Sequence, residues 1–145
     1  MKTLKTSILG LIIALSFGAV QAKTIKAENE KLTVSFALNV YVNAVTHGQI
    51  NGLNDVLDKN AKFSMMRGTE LLNFNKTEEL AFIKSTENTE QNCKTSTYIT
   101  ETNPDFTVVK VDMKYSGFVR TNYVTLANTN DGWKITSIYS VFKNN

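Results

Sequence analysis

A long apolar stretch with regularly spaced polar residues gives the clearest pattern in the chain. Between about Lys31 and Gly48 most positions are apolar, and the polar exceptions return at steps of four, four and three: Ser35, Asn39, Asn43 and Thr46. This spacing places them on one narrow stripe of an α-helix whose remaining surface is covered by protein. Gly48 stands where a C-cap glycine is expected, so the pattern predicts a long helix that ends there.

Two short elements are predicted directly after the long helix. A second helix is expected at about Ile50 to Leu57, because its leucines and valine share one face. A strand is expected at Ala61 to Met66, where apolar and polar residues alternate. In that strand Phe63 and Met65 lie on the same side.

The next segment predicts a short strand and a third helix. The strand falls around Leu71 to Phe74. Asn75 is followed three residues later by Glu78, which is the sequence signature of a helix N-cap with a reciprocal glutamate. The third helix is therefore predicted to begin at Asn75 and to run through about Ser85.

The C-terminal third of the chain changes to period-two alternation. Its segments CKTSTYIT, FTVVKVDMKY, FVRTNYVTLAN and WKITSIYSVF are rich in threonine, valine, isoleucine and aromatic residues, and turn residues separate them. They predict an antiparallel meander of four strands. The predicted class is α+β, a cone-like domain with a long N-terminal helix, two shorter helices and a curved, mainly antiparallel sheet.

The N-terminus has the pattern of a signal peptide. Lys2 and Lys5 precede an apolar run that is short for a membrane span, and Val20-Gln21-Ala22 resembles a cleavage site. We expect residues 1–22 to be removed and residues 23–145 to form one exported domain, periplasmic or secreted. An uncleaved N-terminal anchor is the alternative.

Charge and cysteine content narrow the classes of partner. Without Lys2 and Lys5 the basic residues fall from 16 to 14 against 13 acidic ones, so the remaining chain carries about +1. We therefore expect no nucleic-acid partner and no membrane partner after cleavage. Cys93 is the only cysteine and His47 the only histidine. This predicts no internal disulfide, no metal site and no cofactor.

The order of these elements, together with particular segments, resembles a known superfamily. YVNAVTHGQINGLNDVLDKNAKFSM near the start and DGWKITSIYSVF at the end resemble the nuclear-transport-factor-2-like superfamily, which includes ketosteroid isomerases and SnoaL-like proteins. Within it, the chain is most similar to exported bacterial proteins described as putative lumazine-binding. The resemblance covers roughly Leu32 to Phe142. It implies a pocket between the long helix and the concave sheet, and a homodimer formed through the sheet.

The resemblance also allows a test for isomerase chemistry. Ketosteroid-isomerase-like members use a helix tyrosine, a general-base aspartate on the first strand and a protonated aspartate on a late strand. Aligned with that pattern, these positions fall on Tyr41, Met65 and Thr125. A thioether cannot accept a proton near neutral pH, so the resemblance predicts that this isomerase chemistry is absent.

Several other polar residues have ordinary structural explanations. His47 lies at the predicted helix C-terminus, where a cationic side chain suits the helix dipole. Asp55 and Asp58 lie opposite the apolar face of the short helix, which is typical of a solvated surface. Asp112 and Glu101 are the strand carboxylates that could act in catalysis, but Asp112 shares its side with Lys110 and Lys114.

These observations lead to one functional prediction and one alternative. We predict an exported domain that binds a small apolar or aromatic ligand, or that serves as an interaction module, without an intact catalytic constellation. The alternative is a SnoaL-like or ketosteroid-isomerase-like enzyme acting on a hydrophobic carbonyl compound. Alternation alone does not say which sheet face is concave. The predicted pocket residues are Tyr41, Phe63, Met65, Tyr123 and Thr125.

Overall fold

The computed structural model describes residues 33–145, so the predicted signal peptide at residues 1–22 lies outside the described part of the chain. In chain order the elements are α1 (Val34–His47), α2 (Leu53–Val56), β1 (Leu57–Arg67), β2 (Glu70–Asn75), α3 (Lys76–Ser85), β3 (Lys94–Thr102), β4 (Phe106–Lys114), β5 (Phe118–Thr129) and β6 (Gly132–Asn144). The predicted α+β class, with one long helix, two shorter ones and a mainly antiparallel sheet, is confirmed.

Both ends of α1 are capped by the residues around it. The Thr33 side chain accepts a hydrogen bond from the backbone N–H of Phe36 at 3.1 Å. At the other end Gly48 adopts a φ of 64°, and its N–H donates to the carbonyl of Asn43. A Cβ at Gly48 would lie 2.4 Å from the backbone nitrogen of Asn88, so a side chain has no room there. The predicted C-cap is confirmed.

The junction between α2 and β1 differs from the prediction. The helix has only four residues, Leu53–Val56, and β1 begins at Leu57 rather than at Ala61. Leu57 already pairs with Ile135 of β6, and a bulge then separates this pair from the regular pairing that starts at Lys62. Sequence alternation does not reveal such a bulge, because the inserted residues break the period of two.

All six strands form one sheet in the order β2-β1-β6-β5-β4-β3. Strands β3 to β6 make the predicted antiparallel meander, and β1 joins β6 in parallel. Pairing irregularities also occur between β3 and β4 and between β5 and β6. Bulges of this kind increase local twist and bend the strands, so they account for the curvature of the sheet.

The two faces of the sheet are distinct. The inner face packs against the helices and carries the buried alternate residues Ala61, Phe63, Val109, Val111, Met113, Asn122, Val124, Leu126, Ile135, Ile138 and Ser140. The outer face carries the intervening residues, which include Lys110, Asp112, Tyr123, Thr125 and Tyr139. From α1, Ala37, Leu38, Tyr41 and Ala44 complete the core. Trp133 is partly buried and packs against this core.

No helix within residues 33–145 is long and apolar enough to cross a membrane.

Candidate functional site

A cavity of about 610 Å³ lies between α3 and the inner face of the sheet. Its apolar lining comes from β1, β2, β6 and α3, through Phe63, Met65, Phe74, Phe82, Ile138 and Phe142. Its polar lining consists of Ser64, Glu78, Glu79, Arg120 and Ser140. Cavities of this size, with apolar walls and a few polar groups, are typical of small-molecule sites.

Helix α3 is held over the sheet by its first residue. The ammonium group of Lys76 donates to the backbone carbonyl oxygens of Asn54 and Leu57 at 2.8 and 2.9 Å. The start of α3 is thereby fixed to the junction between α2 and β1. From this position Ile83 is buried in the core, and Glu79 lies one turn before it on the same helix face. The helix therefore brings a carboxyl group to the cavity.

A hydrogen-bonded network crosses the inner face beside the cavity. Arg120 Nε donates to Asn122 Oδ1 at 3.0 Å, and its Nη2 donates to Ser140 Oγ at 3.3 Å. Ser140 Oγ donates in turn to Asn122 Oδ1 at 2.7 Å. Asn122 Nδ2 then donates to the hydroxyl oxygen of Tyr41 at 2.8 Å. Together these four side chains join α1, β5 and β6 by polar contacts.

Arg120 determines which atoms of this network donate hydrogen bonds and which accept them. A guanidinium group only donates hydrogen bonds, so Asn122 must turn its oxygen towards Arg120 and its amide nitrogen towards Tyr41. The hydroxyl of Tyr41 consequently accepts a hydrogen bond here. Tyr41 is fully buried, which raises the pKa of its phenol to about 12, although the nearby Arg120 acts to lower it. The phenol stays neutral and supports the network from behind the cavity.

The two glutamates of α3 have different environments. Glu78 forms the capping box of the helix, since its carboxylate accepts a hydrogen bond from the Asn75 backbone N–H at 2.8 Å, as the sequence predicts. Glu79 has no such partner within residues 33–145. Burial raises the pKa of the Glu79 carboxyl above its ordinary value, and the charge of Arg120 opposes that rise.

The predicted pocket residues divide between three places. Phe63 and Met65 line the cavity. Tyr41 lies one layer behind it, in contact with Asn122 rather than with the cavity itself. Tyr123 and Thr125 lie on the outer face, where they pair with Tyr139 and Ser137 of β6. The structure therefore brings two of the five residues together around the cavity.

Sequence reasoning missed Arg120, Glu79 and Ser140 as residues of the cavity. Arg120 and Asn122 occupy the same alternation phase as Val124 and Leu126 of β5. Polar residues in the apolar phase of a strand are the signal that could have identified two of the network members. For Glu79 the sequence holds no such signal, because the adjacent Glu78 already explains an acidic first turn of the helix.

The remaining candidates lie outside the cavity. Asp112 is on the outer face, where Lys110 Nζ and Thr121 Oγ1 donate to its carboxylate at 2.8 and 2.6 Å. Burial opposes ionisation of Asp112, but these hydrogen bonds outweigh it and hold its pKa below the usual value. Glu101 is exposed on β3. The three other sites considered in the sequence, His47, Asp55 and Asp58, are not part of the cavity lining.

No group of three metal-ligating side chains is close enough to hold a metal ion in the part of the chain that the structure describes.

Solved structures with similar folds define the class of protein. A nuclear-transport-factor-2-like protein of unknown function from Silicibacter pomeroyi has a TM-score of 0.59 at 18% identity, with 86% of this chain and 98% of that one covered. One from Shewanella baltica has a TM-score of 0.61 at 13% identity, with 90% and 98% covered. One from Cytophaga hutchinsonii has a TM-score of 0.57 at 15% identity, with 83% and 97% covered. The fold is therefore nuclear-transport-factor-2-like.

The family follows from the sequence match. The family described as putative lumazine-binding matches residues 29–140, and the chain belongs to it. A comparison with curated proteins gave no significant match.

Proposed function

We propose that this protein binds a small, partly apolar molecule in the cavity between α3 and the inner face. The observation that carries the proposal is the lining, which combines aromatic and aliphatic walls with a few polar groups, among them Glu79, Arg120 and Ser140. Binding sites for small molecules are built in this way, since apolar walls supply affinity and a few polar groups fix orientation. The family description agrees with a ligand-binding role.

A matched pair of variants on β1 tests the site of binding. Met65→Trp places a large ring in the cavity, whereas Met66→Trp places the same ring on the opposite side of the strand, where Met66 pairs with Leu71. With the neutral fluorescent probe phenylnaphthylamine, we expect Met65→Trp to weaken binding by about tenfold or more, because the added ring takes up cavity volume. Met66→Trp should bind like the unmodified protein. Equal affinities in the two variants would place the probe elsewhere.

A catalytic role remains the second candidate, and Glu79 is the observation that favours it. A carboxyl group whose pKa is raised by burial inside a cavity is a possible general acid or base. The test is solvent deuterium incorporation into a hydrophobic cyclic ketone, followed by NMR. An enzyme of this type would exchange the protons next to the carbonyl, and Glu79→Gln would stop the exchange. If exchange does not exceed the rate in buffer, the catalytic role is contradicted and the proposal of ligand binding is unaffected.

We also propose that two copies associate through the outer face. Tyr98, Tyr123 and Tyr139 lie in one row across β3, β5 and β6 and are 55%, 38% and 39% exposed. Exposed aromatic side chains at this density are typical of protein interfaces. Sedimentation analysis should give a dimer that Tyr123→Glu with Tyr139→Glu converts to a monomer. Phe82→Glu, which alters a 62% exposed aromatic residue on α3, is the control and should stay dimeric.

Export is the last part of the proposal. The lysines and apolar run of residues 1–22 support removal of that segment and a periplasmic or secreted location. N-terminal sequencing of the protein from its native host should begin at Lys23. Recovery from the cytoplasm with Met1 retained would contradict export.

A further inference from the structure

Arg120 lines the cavity, and its positive charge is not balanced by an anionic group among its hydrogen-bond partners. Both side chains that accept hydrogen bonds from the guanidinium, Asn122 and Ser140, are neutral. Within residues 33–145 the one ion pair joins Lys110 to Asp112 on the outer face, so no carboxylate lies within 4.0 Å of Arg120. Arg120 is partly buried, and its central guanidinium carbon lies 5.8 Å from the centre of the Phe142 ring. The cation is thus held at the cavity wall without an ion-pair partner.

The guanidinium is also held in a fixed orientation. Its Nε and one terminal nitrogen are bound to β5 and β6 side chains, and the Phe142 ring lies beside it. Behind these contacts Tyr41 holds the amide of Asn122. Of the five N–H groups of an arginine, these bonds use two, which leaves donors of a rigid fork next to the cavity. Such a fork matches the two oxygens of a carboxylate or of a similar oxyanion.

Neither glutamate of the cavity forms an ion pair with Arg120. Glu78 is engaged with the N-terminus of its own helix. Glu79 lines the same cavity, yet it lies beyond ion-pair distance from Arg120. The low polarity of the cavity strengthens any electrostatic contact made inside it, so an anion between the apolar walls would interact strongly with Arg120.

We propose that the ligand of this cavity is an apolar molecule carrying one oxyanion group, such as a carboxylate, and that Arg120 binds this group. This inference rests on the proposed ligand-binding function and names the chemical class of the ligand. Apolar side chains contact the body of the molecule, and the remaining guanidinium N–H groups donate to its oxyanion. Asn122 and Tyr41 act as positioning residues, because Asn122 binds Arg120, Tyr41 binds Asn122, and neither of the two lines the cavity.

Two fluorescent probes with the same aromatic skeleton test the ligand class. Anilinonaphthalene sulfonate carries an oxyanion, and phenylnaphthylamine is its neutral counterpart. Because a hydrogen bond to a charged group is worth about tenfold or more in affinity, the unmodified protein should bind the sulfonate at least that much more tightly. Equal affinities for the two probes would overturn the proposal. This comparison needs no variant, so it does not depend on whether a substituted protein folds.

Charge-removing variants then locate the effect. Arg120→Gln should lower affinity for the sulfonate by about tenfold or more and leave affinity for phenylnaphthylamine unchanged. Arg120→Lys keeps the charge but loses the forked arrangement of donors. Its affinity for the sulfonate should therefore lie between those of the unmodified protein and Arg120→Gln. Lys110→Gln removes the same charge from the outer face and should change neither affinity. If Arg120→Gln lowers the affinity for both probes equally, the oxyanion role of Arg120 is refuted, while the cavity is retained as the proposed binding site. Failure of both probes to bind the unmodified protein would instead contradict the proposed function itself.

Discussion

Asn122 and Tyr123 are neighbours on β5, and they meet different surroundings because successive side chains of a strand point to opposite faces. Asn122 is fully buried on the inner face, where it hydrogen-bonds Tyr41, Arg120 and Ser140. Tyr123 is 38% exposed on the outer face, opposite Tyr139. The same strand thus supplies a polar network beside the cavity and an exposed aromatic residue on the opposite face.

The charges of the two faces differ in the same way. On the outer face Lys110 and Asp112 neutralise each other at 2.8 Å, within reach of water. On the inner face Arg120 is held by neutral groups beside an apolar cavity. An exposed ion pair contributes little to stability, whereas a guanidinium that is held in place without an ion-pair partner keeps hydrogen-bond donors for an anionic ligand. The inner face therefore packs the core, and it is the face on which we propose that a small molecule binds.

Leu126→Ala should break the inner face most severely. Leu126 is fully buried, and truncation of such a residue costs about 2–5 kcal/mol through lost contacts and the cavity left behind. Thr125→Ala changes the preceding residue, on the outer face, and should cost within about 0.5 kcal/mol. Urea denaturation measures both free energies of unfolding. Similar losses in the two variants would contradict the assignment of the faces.

Tyr41→Phe should have the next largest effect on stability. The change removes the acceptor of the buried Asn122 amide, and an unsatisfied buried donor costs about 1–3 kcal/mol. Tyr139→Phe removes a hydroxyl from the outer face and serves as the control. The stabilities of these two variants should also respond differently to high pH. Folding raises the Tyr41 pKa to about 12 from its ordinary value of 10.0. The folded state therefore keeps a proton that the unfolded state loses, and stability falls between these pH values.

Alkaline unfolding gives the clearest measurement of that difference. Tyr41→Phe should start from a lower stability at neutral pH and then lose less than the unmodified protein as the pH rises through this range. Tyr139→Phe should follow the unmodified protein at every pH. If the alkaline slope persists in Tyr41→Phe, another group carries it and the phenol is not the buried acceptor inferred from the network.

The elements of this fold were largely predictable, because their signals are local. The polar stripe and Gly48 identify α1, and Asn75 with Glu78 identifies the start of α3. The sequence predicts that the second helix runs to Leu57, but Leu57 belongs to β1, where it pairs with Ile135. These two residues are far apart in the chain, so no local pattern reveals the pairing. Long-range pairing of this kind overrides local propensity without leaving a pattern in the sequence.

The cavity was less predictable than the fold. Alternation groups Phe63 with Met65 correctly, but it does not say which phase of β5 faces the helices. Thr125 follows only from alignment with the late-strand position of the isomerase pattern, and the pairing of β5 with β6 shifts register between Thr125 and Leu126. Glu79 reaches the cavity because α3 lies over the sheet, where the Lys76 contacts and the buried Ile83 hold it. Such placements come from tertiary contacts, which a single sequence does not display.

Glu79→Gln should raise stability by a smaller amount. Burial raises the pKa of Glu79 in the folded state, so the charge carried at neutral pH opposes folding. The neutral amide removes that cost, and we expect a gain on the order of 0.5 kcal/mol at neutral pH. The gain should vanish below the pKa of the unfolded chain, where both states hold the proton. Glu101→Gln, at an exposed position of β3, is the matched control and should show no gain. A loss of stability in Glu79→Gln would indicate that the carboxylate has a partner.

Asp112→Asn on the outer face should have the smallest effect on stability. At neutral pH it should lower stability, whereas Glu79→Gln should raise it. Hydrogen bonds from Lys110 and Thr121 overcome the effect of burial and lower the pKa of Asp112 in the folded state. A lowered pKa means that the unfolded chain takes up a proton first as the pH falls. The contribution of Asp112 is therefore present at neutral pH and is lost on acidification through the folded-state pKa. Because both partners remain in contact with water, added salt should reduce the contribution further. Thermal unfolding of Asp112→Asn at neutral and acidic pH measures this directly. A loss as large as that of Tyr41→Phe would indicate that the proposed association through the outer face covers this pair, and the melting temperature should then depend on protein concentration.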